Sequence, residues 1–174
     1  DGLHEFGISV TDGTFTASQN VTVQVRDWFD GPWDKVVAPD GMAGDLFGTT
    51  IAQSGDLVAI GSMFATANGQ GEAGAVDLFR REDNGTLTFV HSVVPSVVVA
   101  KDYFGSSLAF SGNHLAVGAI GHDANGKHNS GAVFVFEVNA TGSYSELAKL
   151  YSSDAKLQDF FGDALALDNG LLAV

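Results

Sequence analysis

Asp45-Leu46-Phe47-Gly48 returns as Asp102-Tyr103-Phe104-Gly105 and again as Asp159-Phe160-Phe161-Gly162. The steps from Phe47 to Phe104 and from Phe104 to Phe161 are both 57 residues. A constant period long enough for four short strands and their turns marks a repeat architecture, in which each unit buries its apolar faces against its neighbours. The overlay runs on without insertion. Ser54-Gly55-Asp56-Leu57-Val58-Ala59-Ile60-Gly61 falls on Ser111-Gly112-Asn113-His114-Leu115-Ala116-Val117-Gly118, and Gly74-Ala75-Val76-Asp77-Leu78-Phe79 falls on Gly131-Ala132-Val133-Phe134-Val135-Phe136.

Each unit therefore carries four strand candidates: one after Phe-Gly, one ending in Ala-Ile-Gly or Ala-Val-Gly, a Gly-Ala-Val run, and a last one reaching Val94 or Leu150. In the first of these, Thr50, Ser107 and Ala164, followed by Ala52, Ala109 and Ala166, share one face, because strand side chains alternate. Ile51, Leu108 and Leu165 share the other. A strand with one face held to small residues belongs where space is tight, as on the innermost strand of a propeller blade. The pattern predicts an all-β chain of four-stranded β-propeller blades. In it Phe47, Phe104 and Phe161 would anchor each inner strand against a neighbouring blade. Gly48, Gly105 and Gly162 would let backbones approach closely.

The Phe-Gly start, the small-residue strand, the Leu115-Ala116-Val117-Gly118-Ala119 strand and the run from Ser130 to Phe136 resemble FG-GAP repeats of integrin α-type β-propellers. The resemblance covers residues 33–174 in three in-phase copies. One departure is the missing Pro: Gly61-Ser62-Met63 and Gly118-Ala119-Ile120 stand at the "GAP" position. Trp33-Asp34-Lys35-Val36-Val37-Ala38 overlays the fourth strand of a unit without the first three. Propellers of this kind close their ring with such a strand, so it is expected to pair with a blade beyond Val174, in a ring of about seven blades and roughly 400 residues.

Ahead of the repeat, residues 1–27 read as a β-hairpin, with alternation in Phe6-Gly7-Ile8-Ser9-Val10 and Val21-Thr22-Val23-Gln24-Val25 around a Thr11-Asp12-Gly13-Thr14 turn. It resembles the last two strands of an immunoglobulin-like or cadherin-like β-sandwich module. Residues 28–32 change character and carry a Gly-Pro turn signal, which makes them a linker.

Composition narrows the function classes. The 22 glycines against 3 prolines fit strands joined by tight turns. A net charge of −13, with only 8 Lys and Arg and no basic stripe, argues against nucleic acid and anionic membrane surfaces as partners. The absence of cysteine removes disulfides and thiolate metal sites. No apolar run is long enough for a membrane-spanning helix; Val97-Val98-Val99-Ala100 is only a strand or a buried loop.

Candidate sites are few. Integrin-type blades bind Ca²⁺ between their first and second strands, but Ser54-Gly55-Asp56 and Ser111-Gly112-Asn113 are short enough to be plain hairpin turns. The longer loop from His122 to Asn129 places oxygens at Asp123, Asn125 and Asn129, a spacing faintly like a Ca²⁺ loop. A turn-rich loop is the simpler reading, and His122 and His128 are open to transition-metal ligation or to plain solvation. Asp45, Asp102 and Asp159 read as caps of the turn into the inner strand. Three Asn-x-Thr sequons, at Asn20, Asn84 and Asn139, are N-glycosylation acceptors, the last two in the loops between third and fourth strands.

No nucleophile, base or paired-carboxylate arrangement recurs at a common blade edge, so the expectation is a protein that is not an enzyme and needs no cofactor. The resemblance implies an extracellular or cell-surface scaffold or adhesion module with a protein or glycan partner. A surface filament built by pairing of open strand edges would also suit it. A lectin-like propeller and the accessory propeller of a larger extracellular enzyme are the alternatives.

Overall fold

The structure is a computed structural model that describes residues 2–11, 16–25 and 35–174. It divides into two compact units, Asp1–Lys35 and Val36–Val174. In the first, β1 (Gly2–Thr11) and β2 (Thr16–Val25) pair antiparallel in continuous register from Gly2 opposite Val25 to Thr11 opposite Thr16. The expected turn at residues 12–14, the 28–32 linker and Trp33 lie outside the described residues.

The second unit contains two four-stranded antiparallel sheets and the start of a third. The first sheet is a simple meander of β3 (Thr50–Ser54), β4 (Leu57–Ser62), β5 (Ala75–Arg81) and β6 (Leu87–Val93). The second repeats it with β7 (Phe104–Ser111), β8 (His114–Ala119), β9 (Ala132–Val138) and β10 (Tyr144–Leu150). The third has only the hairpin of β11 (Ala166–Asp168) and β12 (Leu171–Ala173). These are propeller-type blades at the 57-residue period. Lys35–Ala38 is irregular and pairs with no strand among the described residues; the blade with which this segment is expected to pair lies beyond Val174, and here Val36 packs as a single side chain against the cluster of Val58, Ile60 and Phe79.

Blades stack face to face, and alternation assigns each side chain to one interface or the other. In β4 every residue is buried because both faces are covered. Leu57 and Ala59 join Val76, Leu78 and Val93 on the face meeting the second blade, while Val58, Ile60 and Phe79 form a separate cluster with Phe47 on the opposite face. From the second blade, Phe104, Leu115, Val117, Phe134 and Phe136 complete the shared core. Ala109, Ala116 and Val133 then face Phe161, Leu165 and Leu167 of the third. The inner strands lie side by side, β3 against β7 and β7 against β11. The small residues meet there: Ala52 packs on the shared core, and Ala109 is buried under the third unit.

Candidate functional site

The recurring Phe-Gly stretch is where consecutive units are joined. Backbone N–H groups of Lys101, Tyr103 and Phe104 donate to the carbonyls of Gly71, Glu72 and Ala73 at 3.1, 3.4 and 2.8 Å. One repeat later Gln158, Phe160 and Phe161 donate to His128, Asn129 and Ser130 at 3.0, 3.2 and 2.9 Å. The two ladders have the same register, and each ends in a parallel bridge, Gly74 with Phe104 and Gly131 with Phe161. Each blade thus continues the loop before the third strand of its predecessor as a short parallel ribbon. That ribbon satisfies backbone groups which close stacking would otherwise bury unpaired.

The motif adopts one unusual conformation throughout. The residue before Phe has positive φ in all three copies (57° at Leu46, 56° at Tyr103, 52° at Phe160), and so does the Gly after it (91°, 88° and 93°). Left-handed backbone disfavours residues with a Cβ, so the second position requires Gly while the first carries strain that the surrounding ladder must offset. A Cβ on Gly105 would also come within 2.8 Å of the Ala75 carbonyl oxygen. The Phe ring then turns onto its own blade: Phe47 meets Phe79 edge-on at 6.1 Å, and Phe104 meets Phe136 at 5.9 Å and Phe134 at 5.5 Å. Phe104 is fully buried between two blades, while Phe47 and Phe161 are half-buried.

Side-chain hydroxyls complete the splice. Thr50 Oγ1 donates to the carbonyl of Gly105 at 2.7 Å, and Ser107 Oγ donates to that of Gly162. These contacts lie over Gly61 and Gly118, where an added Cβ would fall 2.4 and 2.3 Å from the same carbonyl oxygens. Sequence reasoning marked the Thr and Ser as small and did not see their hydroxyl role. The recurrence of a hydroxyl at Thr50 and Ser107, each followed by Gly eleven residues on, was the available signal.

The three motif aspartates differ. Asp45 Oδ2 accepts from the Met42 N–H at 2.7 Å and Asp159 Oδ2 from the Lys156 N–H at 2.6 Å, an equivalent local cap. Asp102 instead pairs with His122 Nδ1 at 2.9 Å, both side chains well buried. The ring of His122 lies edge-on to Phe134 at 6.2 Å.

In the loop after β8, Ala124–Gly126 form a 3-10 turn with Asn125 in the left-handed region. Asp123 Oδ1 accepts from the Asn129 N–H at 2.8 Å and lies 3.2 Å from His128 Nδ1. That bond holds Asn129 where its carbonyl meets Phe160. Asp123, Asn125 and Asn129 are thus in one loop, and Asp123 and Asn129 are engaged in closing it. Among the described residues no three His, Cys, Asp or Glu side chains gather in a metal-holding group.

The sequons of the repeat sit on exposed hairpin turns. Asn84 Oδ1 accepts from both the N–H and the hydroxyl of Thr86, at 3.0 and 2.8 Å, and Asn139 Oδ1 does the same with Thr141, at 3.0 and 2.7 Å. Both leave the amide nitrogen free of these bonds. Asn20 lies in β2, opposite Gly7. No helix among the described residues is long and apolar enough to cross a membrane.

Two comparisons with known proteins bear on this geometry. No curated protein matches the chain. The family model described as FG-GAP repeat matches residues 33–79, which hold Phe47-Gly48, β3, β4 and most of β5, and residues 87–136, which hold β6, Phe104-Gly105, β7, β8 and most of β9. The chain belongs to the FG-GAP repeat family.

Proposed function

We propose that the chain is a non-catalytic scaffold or adhesion module of an extracellular or cell-surface protein, engaging a protein or glycan partner. The observation that carries this reading is the use made of the recurring residues: Phe104-Gly105, Phe161-Gly162, Thr50 and Ser107 all serve to join one blade to the next. FG-GAP repeats are typical of extracellular proteins. The exposed sequons at Asn84 and Asn139 agree with a secretory route. Large apolar side chains exposed on the outer strands and the segment after them, Phe89, Leu147, Leu150 and Tyr151, offer contact area away from the splices. In the same proposal residues 1–27 end an immunoglobulin- or cadherin-like module, residues 28–32 link it to the propeller, and open strand edges allow filament assembly.

The test is to display the chain, produced through a eukaryotic secretory pathway, on arrays of glycans and extracellular proteins. Saturable binding without turnover of the bound species supports the module. Turnover, or no saturable binding to any arrayed protein or glycan, contradicts it.

A further inference from the structure

The two blades differ at one place where their backbones agree. Ser62, Ala65, Asp77 and Ser92 of the first blade stand where the second has Ala119, His122, Phe134 and Lys149, each 57 residues on. The registers match, Asp77 opposite Ser92 and Phe134 opposite Lys149. In the second blade the His122 ring packs on Phe134 and Lys149 Nζ lies 5.3 Å over the same ring, so the position of Asp77 is taken by an aromatic ring, and the cavity of about 500 Å³ on that blade is lined instead by Val99, Lys101, Asp102, His122 and His128. In the first blade the smaller residues leave a cavity of about 210 Å³.

That cavity has a mixed lining of acidic, hydroxyl and hydrocarbon side chains. Asp40, Asp45 and Asp77 line it with Ser62, and Met42, Ala65, Ala67 and Val94 supply hydrocarbon. Asp45 and Asp77 are buried, at 9% and 4% exposure. Asp45 accepts from the Met42 N–H, and Asp77 Oδ1 accepts from Ser92 Oγ at 2.5 Å, which leaves one oxygen of each carboxylate without these bonds. Ser62 is 2% exposed, and its hydroxyl has no hydrogen-bond partner among the described residues. A buried hydroxyl without a partner costs free energy, so its presence on an acidic cavity points to a ligand that supplies one. Burial holds the Asp77 carboxyl above its ordinary value of 3.8, against the Ser92 bond, and Asp40 adds to the rise. A cation beside the carboxylate would oppose that rise, because an opposite charge favours the ionised form.

We propose that this cavity binds the protonated end of an aliphatic amine, its ammonium among Asp77, Asp45 and the Ser62 hydroxyl and its methylenes along Met42, Ala65 and Val94. An ammonium suits the site better than a metal ion for two reasons. The carboxylates do not gather in a metal-holding group, and the hydrocarbon of Met42, Ala65 and Val94 matches an alkyl stem. The site does not depend on the scaffold reading, since an amine pocket is compatible with any role of the propeller. A lysine side chain of a protein and a free diamine share this chemistry.

The test is titration of the whole chain with n-butylammonium chloride, followed by the amide chemical shifts of Ser62, Thr66 and Asp77. Saturable shifts with the amine and none with n-butanol are expected. Asp77→Asn should weaken binding about tenfold or more, through loss of a charged hydrogen-bond acceptor. Ala65→Leu, which narrows the cavity and leaves the carboxylates in place, should abolish binding, and Asp168→Asn on an exposed hairpin should leave it unchanged. Nα-acetyl-lysine methylamide binding as well as butylammonium identifies a lysine side chain as the ligand; tighter binding of cadaverine identifies a free diamine. Equal response to butanol and amine, exclusion of the amine by CaCl₂ at the same amides, or no saturation with the amine overturns the proposal and leaves a water-filled cavity or a metal site.

Discussion

Thr50 Oγ1 donates to the carbonyl oxygen of Gly105 at 2.7 Å, across the boundary between the first and second blades. The bond reaches from the inner strand of one unit to the Phe-Gly turn of the next, and Ser107 repeats it with Gly162. Two hydroxyls at one repeat position thus tie three successive units near the inner strands.

If the splice needs backbone contact, Gly74 has no substitute. Its φ is 86°, and a Cβ there would lie 2.0 Å from the Phe104 carbonyl oxygen. Gly74→Ala should cost at least about 2 kcal/mol, because strain and a displaced ladder add. Gly112→Ala is the control: φ is 59° with nothing within 4 Å, so only the left-handed penalty of about 1 kcal/mol applies. Chemical denaturation of the two variants checks the difference. Equal costs would contradict the splice.

Phe104 and Phe47 occupy the same repeat position in different surroundings. Phe104 is 0% exposed within the core shared by two blades, and Phe47 is half-buried in a smaller cluster. Phe104→Ala should lose about 3–5 kcal/mol, the usual range for a buried aromatic. Phe47→Ala should lose clearly less, and urea midpoints would measure both.

Asp77 makes a pH prediction. Its folded-state carboxyl is raised above 3.8, mainly by burial, so in the window above that value the folded chain holds a proton that the unfolded chain has released. The contribution of this group to stability therefore falls as pH rises through the window. Asp77→Asn keeps an acceptor for Ser92 and removes the titration. It should be at least as stable as the parent at neutral pH, and the difference between the two should shrink as pH is lowered toward 3.8. Melting temperatures of both proteins across that range provide the check, and a gap that widens on acidification would refute the assignment.

Secretion through a eukaryotic host should add glycan at Asn84 and Asn139, where each sequon hydroxyl already bonds its Asn oxygen on an exposed turn. Thr86→Ala and Thr141→Ala should each remove one glycosidase-sensitive step in gel mobility. Unchanged mobility of the parent after glycosidase would rule out modification there.

Strand positions were legible in the sequence because alternation and hairpin glycines are local signals. The starts of β4 and β8 follow Gly55-Asp56 and Gly112-Asn113, and the small face of the inner strand follows from Thr50, Ala52, Ser107 and Ala109. What Gly74 and Phe104 do for each other was not legible, since neither residue type reveals a backbone partner thirty positions away. Asp102 illustrates the limit of reading by repeat: it looks like Asp45 in sequence, yet the second blade has His122 where the first has Ala65, and the carboxylate takes the imidazole. Lys35–Ala38 resembles a fourth strand in composition, but a strand is formed only against a partner edge, and the edge expected for this one lies beyond Val174. The first-blade cavity was present in the 57-residue overlay as Asp77 against Phe134, a mismatch whose meaning needed the packing of His122 and Lys149 to show.

The claim that Phe-Gly splices one blade to the next is tested most directly by hydrogen exchange at two amides of the intact chain. The N–H groups of Phe104 and Phe161 bond to Ala73 and Ser130 across blade boundaries, at 2.8 and 2.9 Å. They should exchange as slowly as amides in the centres of β8 and β9, and Gly74→Ala should accelerate Phe104 far more than Phe161. Exchange of Phe104 and Phe161 at the rate of exposed loop amides such as Asn68 would contradict the account.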